Sequence, residues 1–133
     1  MDEQTATTSP YRPTVLLVDD EESILNSLRR LLRGQPYDVL LAGSGAQALE
    51  IMAAQPVDLL MTDARMPSMD GAMLLAETHR LYPATTRILL TGYADMTMMI
   101  KAINEGQIHR YISKPWNDEE MLLTLRQSLE HQH

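Results

Sequence analysis

The chain has 133 residues, a net charge of −7, 44% hydrophobic residues and no cysteine. One domain is the default at this length, with enough chain to bury a full core. The acidic balance leaves no basic patch for direct nucleic-acid binding, the lack of cysteine excludes disulfides and thiol chemistry, and no apolar run reaches the ~20 residues of a membrane span or resembles a signal peptide.

A cytoplasmic protein is the expectation. There is no Phe, and there are ten Met, a residue that fills irregular core gaps and also builds adaptable binding surfaces. Residues 1–13 carry Thr, Ser and two prolines without an apolar period, and read as a flexible tail. The unit expected to fold spans 14–130, leaving 131–133 as a frayed end. His131 and His133 read as part of that end rather than as a metal pair.

The first strand is Thr14 to Val18, apolar throughout and ending in Asp19-Asp20. Ile24, Leu25, Leu28, Leu31 and Leu32 then recur at helical spacing, and Gly34 supplies a stop. Asp20, Glu21 and Glu22 stand at that helix start, where the dipole favours negative charge. Tyr37 to Ala42 reads as a second strand. Ser44 followed by Gln47 forms a capping-box pattern before Ala48, Leu49, Met52 and Ala53.

The third strand holds Leu59 to Met61 and leads to Asp63, then a turn with Pro67 and Gly71. Asp63 alone reads equally as a turn-starting acid. Asp70-Gly71 opens a third helix, with Leu74, Leu75, Thr78 and Leu81 inward. Arg87 to Leu90 is a fourth strand ending in Thr91-Gly92. Asp95 caps a helix in this reading, with Met96, Met99, Ile100 and Ile103 on one face and Gly106 at its end. Met98 falls off that stripe, as a partner contact would. His109 to Ser113 is a fifth strand, running into Lys114-Pro115. Asn117 with Glu120 opens the last helix, with Met121, Leu122, Leu125 and Leu129 apolar.

Strict β-α alternation, five times over, predicts a doubly wound parallel five-stranded sheet of (βα)5 type. The expected strand order is the flavodoxin-like 2-1-3-4-5. In such sheets sites form beyond the carboxyl ends of the strands. There the first strand presents Asp19 and Asp20, the third Asp63, the fourth Thr91 and the fifth Lys114. Adjacent strands lie ~4.8 Å apart, so these side chains converge. Crowded carboxylates resist ionising unless a cation joins them, and Mg²⁺ (or Mn²⁺) suits a site with few carboxylates, waters and a phosphate oxygen. One carboxylate nucleophile, a divalent metal, an ammonium and a hydroxyl make a phosphoryl-transfer site, with an acyl phosphate on Asp63 as its product.

Leu17-Val18-Asp19-Asp20-Glu21, Asp63 with Met66-Pro67 and Asp70-Gly71, Leu90-Thr91-Gly92, and Tyr111 with Lys114-Pro115 together resemble the response regulator receiver domain of bacterial two-component systems, over roughly Thr14 to Leu129. The resemblance implies that Asp63 accepts phosphate from a sensor histidine kinase or histidine phosphotransfer protein. It implies that Asp20, Asp63 and the Arg65 carbonyl ligate the metal, with Asp19 acting largely through water. Thr91, Lys114, Ala64 and Gly92 would hold the phosphoryl group, and Lys114-Pro115 is a candidate cis bond. Thr91 and Tyr111 would form a switch that remodels the fourth helix, fifth strand and fifth helix. For Tyr111 the residues alone fit an ordinary half-buried strand aromatic.

Arg65 and Tyr93, each two positions past a site residue, are expected to crowd water and tune phosphate lifetime. Trp116 resembles receivers that head multidomain regulators. The expected activity is self-phosphorylation and slow self-dephosphorylation, not turnover of a metabolite. The chain acts alone through a docking surface or stands at the front of a longer protein with an output domain, and a homodimer through the switch face is open. Three rivals share features with this reading. A flavodoxin-like electron carrier would meet repulsion between Asp19-Asp20-Glu21-Glu22 and the flavin phosphate. An aspartate-nucleophile phosphatase would want an acid where Arg65 stands. A receiver that only binds partners would not need the complete site.

Overall fold

In a computed structural model of the chain, residues 11–105 and 107–130 are described. Five strands alternate with five helices: β1 (Thr14–Val18), α1 (Glu22–Leu32), β2 (Asp38–Ala42), α2 (Gly45–Ala54), β3 (Leu59–Asp63), α3 (Gly71–Leu81), β4 (Thr86–Thr91), α4 (Met96–Asn104), β5 (Arg110–Ser113) and α5 (Asp118–Glu130). A 3₁₀ turn, Tyr93–Asp95, joins β4 to α4. All strands are parallel, in the order β2-β1-β3-β4-β5, as the alternation predicts.

The three central strands β1, β3 and β4 are buried on both faces because both faces are covered, whereas the edge strands β2 and β5 are partly exposed. Leu16, Val18, Leu60 and Leu89 pack against α2, α3 and α4 through Ala48, Met52, Leu74, Leu75, Met99 and Ala102. The intervening residues Val15, Leu17, Leu59, Met61, Ile88 and Leu90 pack against α1 and α5 through Leu25, Leu28, Leu32, Met121, Leu125 and Leu129. The two-residue period of the strands thus deals alternate side chains to two cores.

The helix starts follow the expected caps in most places. Ser44 accepts from the Gln47 amide at 3.1 Å, and the Gln47 side chain accepts from Gly43 rather than from Ser44. Asp70 accepts from the Met73 amide at 2.9 Å, and Asn117 from Glu120 at 3.0 Å. Gly34, at φ +108°, ends the turn after α1 in a conformation that favours glycine.

Asp95 departs from expectation: it occupies the cap position of α4 but makes no capping bond, since its carboxylate turns back to other donors. The buried face of α4 is also displaced. Met99 and Ala102 are buried and Met98 packs against the core, whereas Met96, Ile100 and Ile103 are about half exposed. Small Ala102 lets the helix approach the sheet on that side. Of the expected stripe Met99 alone is buried; the sequence pattern weighted bulk and so passed over Ala102. Leu81 of α3, expected inward, is likewise exposed, because it is the last residue before the helix ends at Tyr82. Ala53 is exposed at the end of α2.

Residues 1–10, Gly106, His131 and His133 lie outside the described residues. Within the expected tail, Arg12 already donates to the Tyr37 carbonyl at 3.0 Å, and the Pro13 carbonyl accepts the Asp38 amide at 2.9 Å. Order therefore reaches beyond the first strand to its flanking residues.

Candidate functional site

Register brings the strand ends level. Val18 lies opposite Thr62, Asp63 opposite Leu90, and Thr91 opposite Ser113. Asp19 therefore follows β1 beside Asp63, Thr91 ends β4, and Lys114 follows β5. The Lys114 amide donates to the Thr91 carbonyl at 2.7 Å, which extends the ladder by one rung and fixes the lysine beside the threonine. The Lys114-Pro115 peptide is cis, as the resemblance implies.

The Lys114 ammonium hydrogen-bonds Asp63 Oδ1 and lies 4.0 Å from Asp19 Oδ2. Asp19, Asp63 and Thr91 are buried, and Asp20 is exposed. One oxygen from each of Asp19, Asp20 and Asp63 lies within 4.8 Å of the others. Asp19 Oδ1 accepts the Glu21 amide at 2.9 Å, but Oδ2 is buried without a hydrogen bond. A buried carboxylate oxygen left this way is costly. An all-oxygen set with one unsatisfied anionic atom fits a hard divalent cation.

Burial pushes the Asp19 carboxyl up to about 6; the Glu21 amide opposes this, the charge of Asp63 adds to it, Lys114 opposes and Asp20 adds. For Lys114, burial disfavours the ammonium, but the bond to Asp63 and the charges of Asp63, Asp19 and Glu21 outweigh it and raise its pKa. A consequence follows for the metal-free protein. Between pH 3.8 and about 6 the folded Asp19 carboxyl holds a proton that the unfolded chain has already released. Its contribution to stability therefore falls as pH rises through about 6. In chelator, urea melts of the wild type and Asp19→Asn should show the variant gaining on the wild type as pH rises from 3.8 to about 6 and no further gain above that. Parallel profiles would refute it.

The Ala64 amide donates to the Leu90 carbonyl at 3.1 Å, and the Gly92 amide to Asp95 Oδ2 at 2.8 Å, so both already have acceptors. The Arg65 side chain reaches over to the β4–α4 turn, pairing with Asp95 Oδ1 and donating to the Ala94 carbonyl at 3.2 Å. Tyr93 is 95% exposed and Tyr111 47% exposed. Sequence reasoning missed the Arg65–Asp95 pair, since Asp95 has the signature of a helix cap and its burial depends on the approach of a distant loop.

The β3–α3 loop is folded against the end of its own strand. The Gly71 amide donates to the Ala64 carbonyl at 2.9 Å. Ser68 sits at φ 69° within this loop, and Met69 packs against Gly45 at the start of α2. Loop and strand end thus form one rigid mount for Asp63. On α4, β5 and α5, Met96, Ile100, Ile103, Tyr111 and Leu123 are exposed.

The model of the response regulator receiver domain matches residues 15–126. The chain is 37% identical over 124 residues to the hydrogenase transcriptional regulatory protein HoxA of Cupriavidus necator, covering 93% of this chain and 26% of that protein. It is 39% identical over 119 residues to the transcriptional regulatory protein ZraR of Escherichia coli, covering 90% of this chain and 27% of that one. The chain thus spans about a quarter of the length of these relatives. Among solved structures, the signal receiver domain of an HD domain-containing protein from Pseudomonas fluorescens superposes with a TM-score of 0.89 at 54% identity, covering 92% of this chain and 98% of that one.

Proposed function

The chain belongs to the response regulator receiver family, and on that premise we propose that it is a phosphorylation-dependent switch whose acceptor is Asp63. The observation that carries this is the pocket itself: three carboxylate oxygens within 4.8 Å, with the Lys114 ammonium on the central one. Lys114 holds Asp63 Oδ1 and so orients the carboxylate. An Asp63 oxygen attacks phosphorus in line; a P–O bond forms to Asp63 as the P–N bond to a donor histidine breaks. The electron pair leaves with the imidazole, which takes a proton from water. The Lys114 ammonium and the Thr91 hydroxyl then neutralise and bind phosphoryl oxygens.

Asp19, Asp20, Asp63 and the Arg65 carbonyl would hold Mg²⁺ or Mn²⁺, which supplies charge neutralisation at the transferring group. Gly92 contributes an amide, the expected Ala64 amide being already committed to the Leu90 carbonyl, and Arg65 and Tyr93 govern how water reaches the acyl phosphate. Thr91 moving onto the phosphoryl group leaves space that Tyr111 fills, changing the exposed face of α4, β5 and α5. The donor is a sensor histidine kinase or phosphotransfer protein in the cytoplasm. The exposed face meets an output domain, a target protein or a second copy. The curated relatives HoxA and ZraR are transcriptional regulators, whereas the 54%-identical receiver from Pseudomonas fluorescens belongs to an HD domain-containing protein, so receivers like this one serve more than one kind of output.

The test is direct. With acetyl phosphate and magnesium, the protein should gain one phosphoryl group, absent when the metal is chelated. Borohydride reduction and peptide mapping should locate it at Asp63. No adduct, or an adduct elsewhere, defeats the reading.

A further inference from the structure

Asp95 is 7% exposed and makes no contribution to capping α4. Its two oxygens are spent instead on donors from either side of the site. Oδ2 accepts the amide of Gly92, which directly follows Thr91, at 2.8 Å. Oδ1 takes the guanidinium of Arg65, two residues past Asp63, and the same guanidinium anchors to the Ala94 carbonyl at 3.2 Å. A buried carboxylate therefore holds one donor from the β3–α3 loop and one from the β4–α4 turn.

We propose that Asp95 is a positioning residue that acts as a built-in competitor of the phosphoryl group, withholding the Gly92 amide and the Arg65 guanidinium until Asp63 is phosphorylated. The inference rests on the phosphoacceptor reading and adds the residue that opposes it. A phosphoryl group brings close to two negative charges and three strong acceptor oxygens to this rim. The Gly92 amide has a single proton to give. A phosphoryl oxygen gains that proton only by taking it from Asp95.

Loss of the Gly92 amide leaves one buried Asp95 oxygen without a hydrogen bond, and loss of Arg65 leaves its charge unpaired, and each is expensive. Asp95 must swing outward, and it carries the 3₁₀ turn Tyr93–Asp95 and the first residue of α4 with it. The strength of the unphosphorylated latch is thus subtracted from the affinity of the site for the phosphoryl group.

The test uses beryllofluoride with magnesium as a non-covalent phosphoryl mimic, titrated calorimetrically against the full chain. Asp95→Ala should bind the mimic about tenfold more tightly than the wild type, within the usual range of coupling between states. Asp95→Asn, which keeps an acceptor for Gly92 and loses the charge that holds Arg65, should fall between them and retains the shape of the native side chain. In an Arg65→Ala background the gain from Asp95→Ala should shrink, since one withheld donor is already gone. Equal or weaker binding by both Asp95 variants while the wild type binds overturns the competitor role alone. Full gain in the Arg65→Ala background overturns the shared latch. A wild type that binds no mimic overturns the phosphoacceptor reading, and this inference with it.

Discussion

Lys114→Met should move magnesium binding and phosphorylation in opposite directions. The ammonium now neutralises Asp63 through a hydrogen bond and lies 4.0 Å from the unsatisfied Asp19 oxygen. With no divalent ion bound, it is the cation that makes the carboxylate cluster tolerable. Removing it leaves the same three anionic oxygens within 4.8 Å and takes away the charge that a metal must share the pocket with. A unit charge at that distance interacts by about 4 kcal/mol at an effective dielectric of 20, and partial exposure of the lysine reduces this several-fold. Magnesium should therefore bind roughly tenfold more tightly. Phosphorylation needs the opposite. A charge aimed at the transferring oxygens is lost, and the rate of adduct formation from acetyl phosphate should fall about 10²–10³-fold even at saturating metal. Calorimetry for the metal and intact-mass kinetics for the adduct separate the two. A parallel loss of both would mean that Lys114 only props the loop. Unchanged kinetics would remove it from the transfer step.

The sheet and its rim were legible in the chain because both depend on short-range patterns. The central strands β1 and β3 are continuous apolar runs that lead into acids, and three of the five helix starts carry a side chain that caps an amide three residues on. Parallel order follows from alternation, so Asp19, Asp63, Thr91 and Lys114 had to meet. What escaped depends on distance or volume. Asp95 has the local signature of a cap, and only the long reach of Arg65 across to the next loop gives its carboxylate a better partner. Arg87, buried in β4 with its guanidinium on the Gln107, Pro83 and Thr85 carbonyls, is a charge that no pattern of hydrophobicity places inside. The phase of α4 was misread for a related reason. A helix with Met or Ile at five of its nine positions offers several apolar stripes, and the close approach at Ala102 decides among them.

Gly71→Ala should damage both the stability and the site, although alanine is the better helix former. Glycine stands here at the first position of α3, where its amide bonds to the Ala64 carbonyl. A Cβ would overlap the Asp63 carbonyl oxygen and lie 2.9 Å from Ala64 Cα. Both neighbours are backbone, one at the buried end of β3 and the other in the buried residue that follows it, so neither can swing aside as a flexible side chain would. Overpacking of this kind costs about 1–3 kcal/mol and sometimes more; the helix-propensity gain of alanine offsets less than 1 kcal/mol of that. A net loss of about 2 kcal/mol would lower the melting temperature by roughly 10 °C in a domain of this size. Gly34→Ala is the control. That residue has φ +108° but open space around it, so its cost is backbone strain alone, and it lies far in sequence from the rim. The two variants differ in what they do to the acceptor. Relief of the Gly71 overlap has to move the start of α3 or the end of β3, and the latter carries Asp63 away from Asp19 and Lys114. Magnesium affinity, measured well below the melting transition, should therefore fall in Gly71→Ala and stay at the wild-type value in Gly34→Ala. If both variants melt early and both keep the metal, the loop is a support for the fold and not a mount for the acceptor.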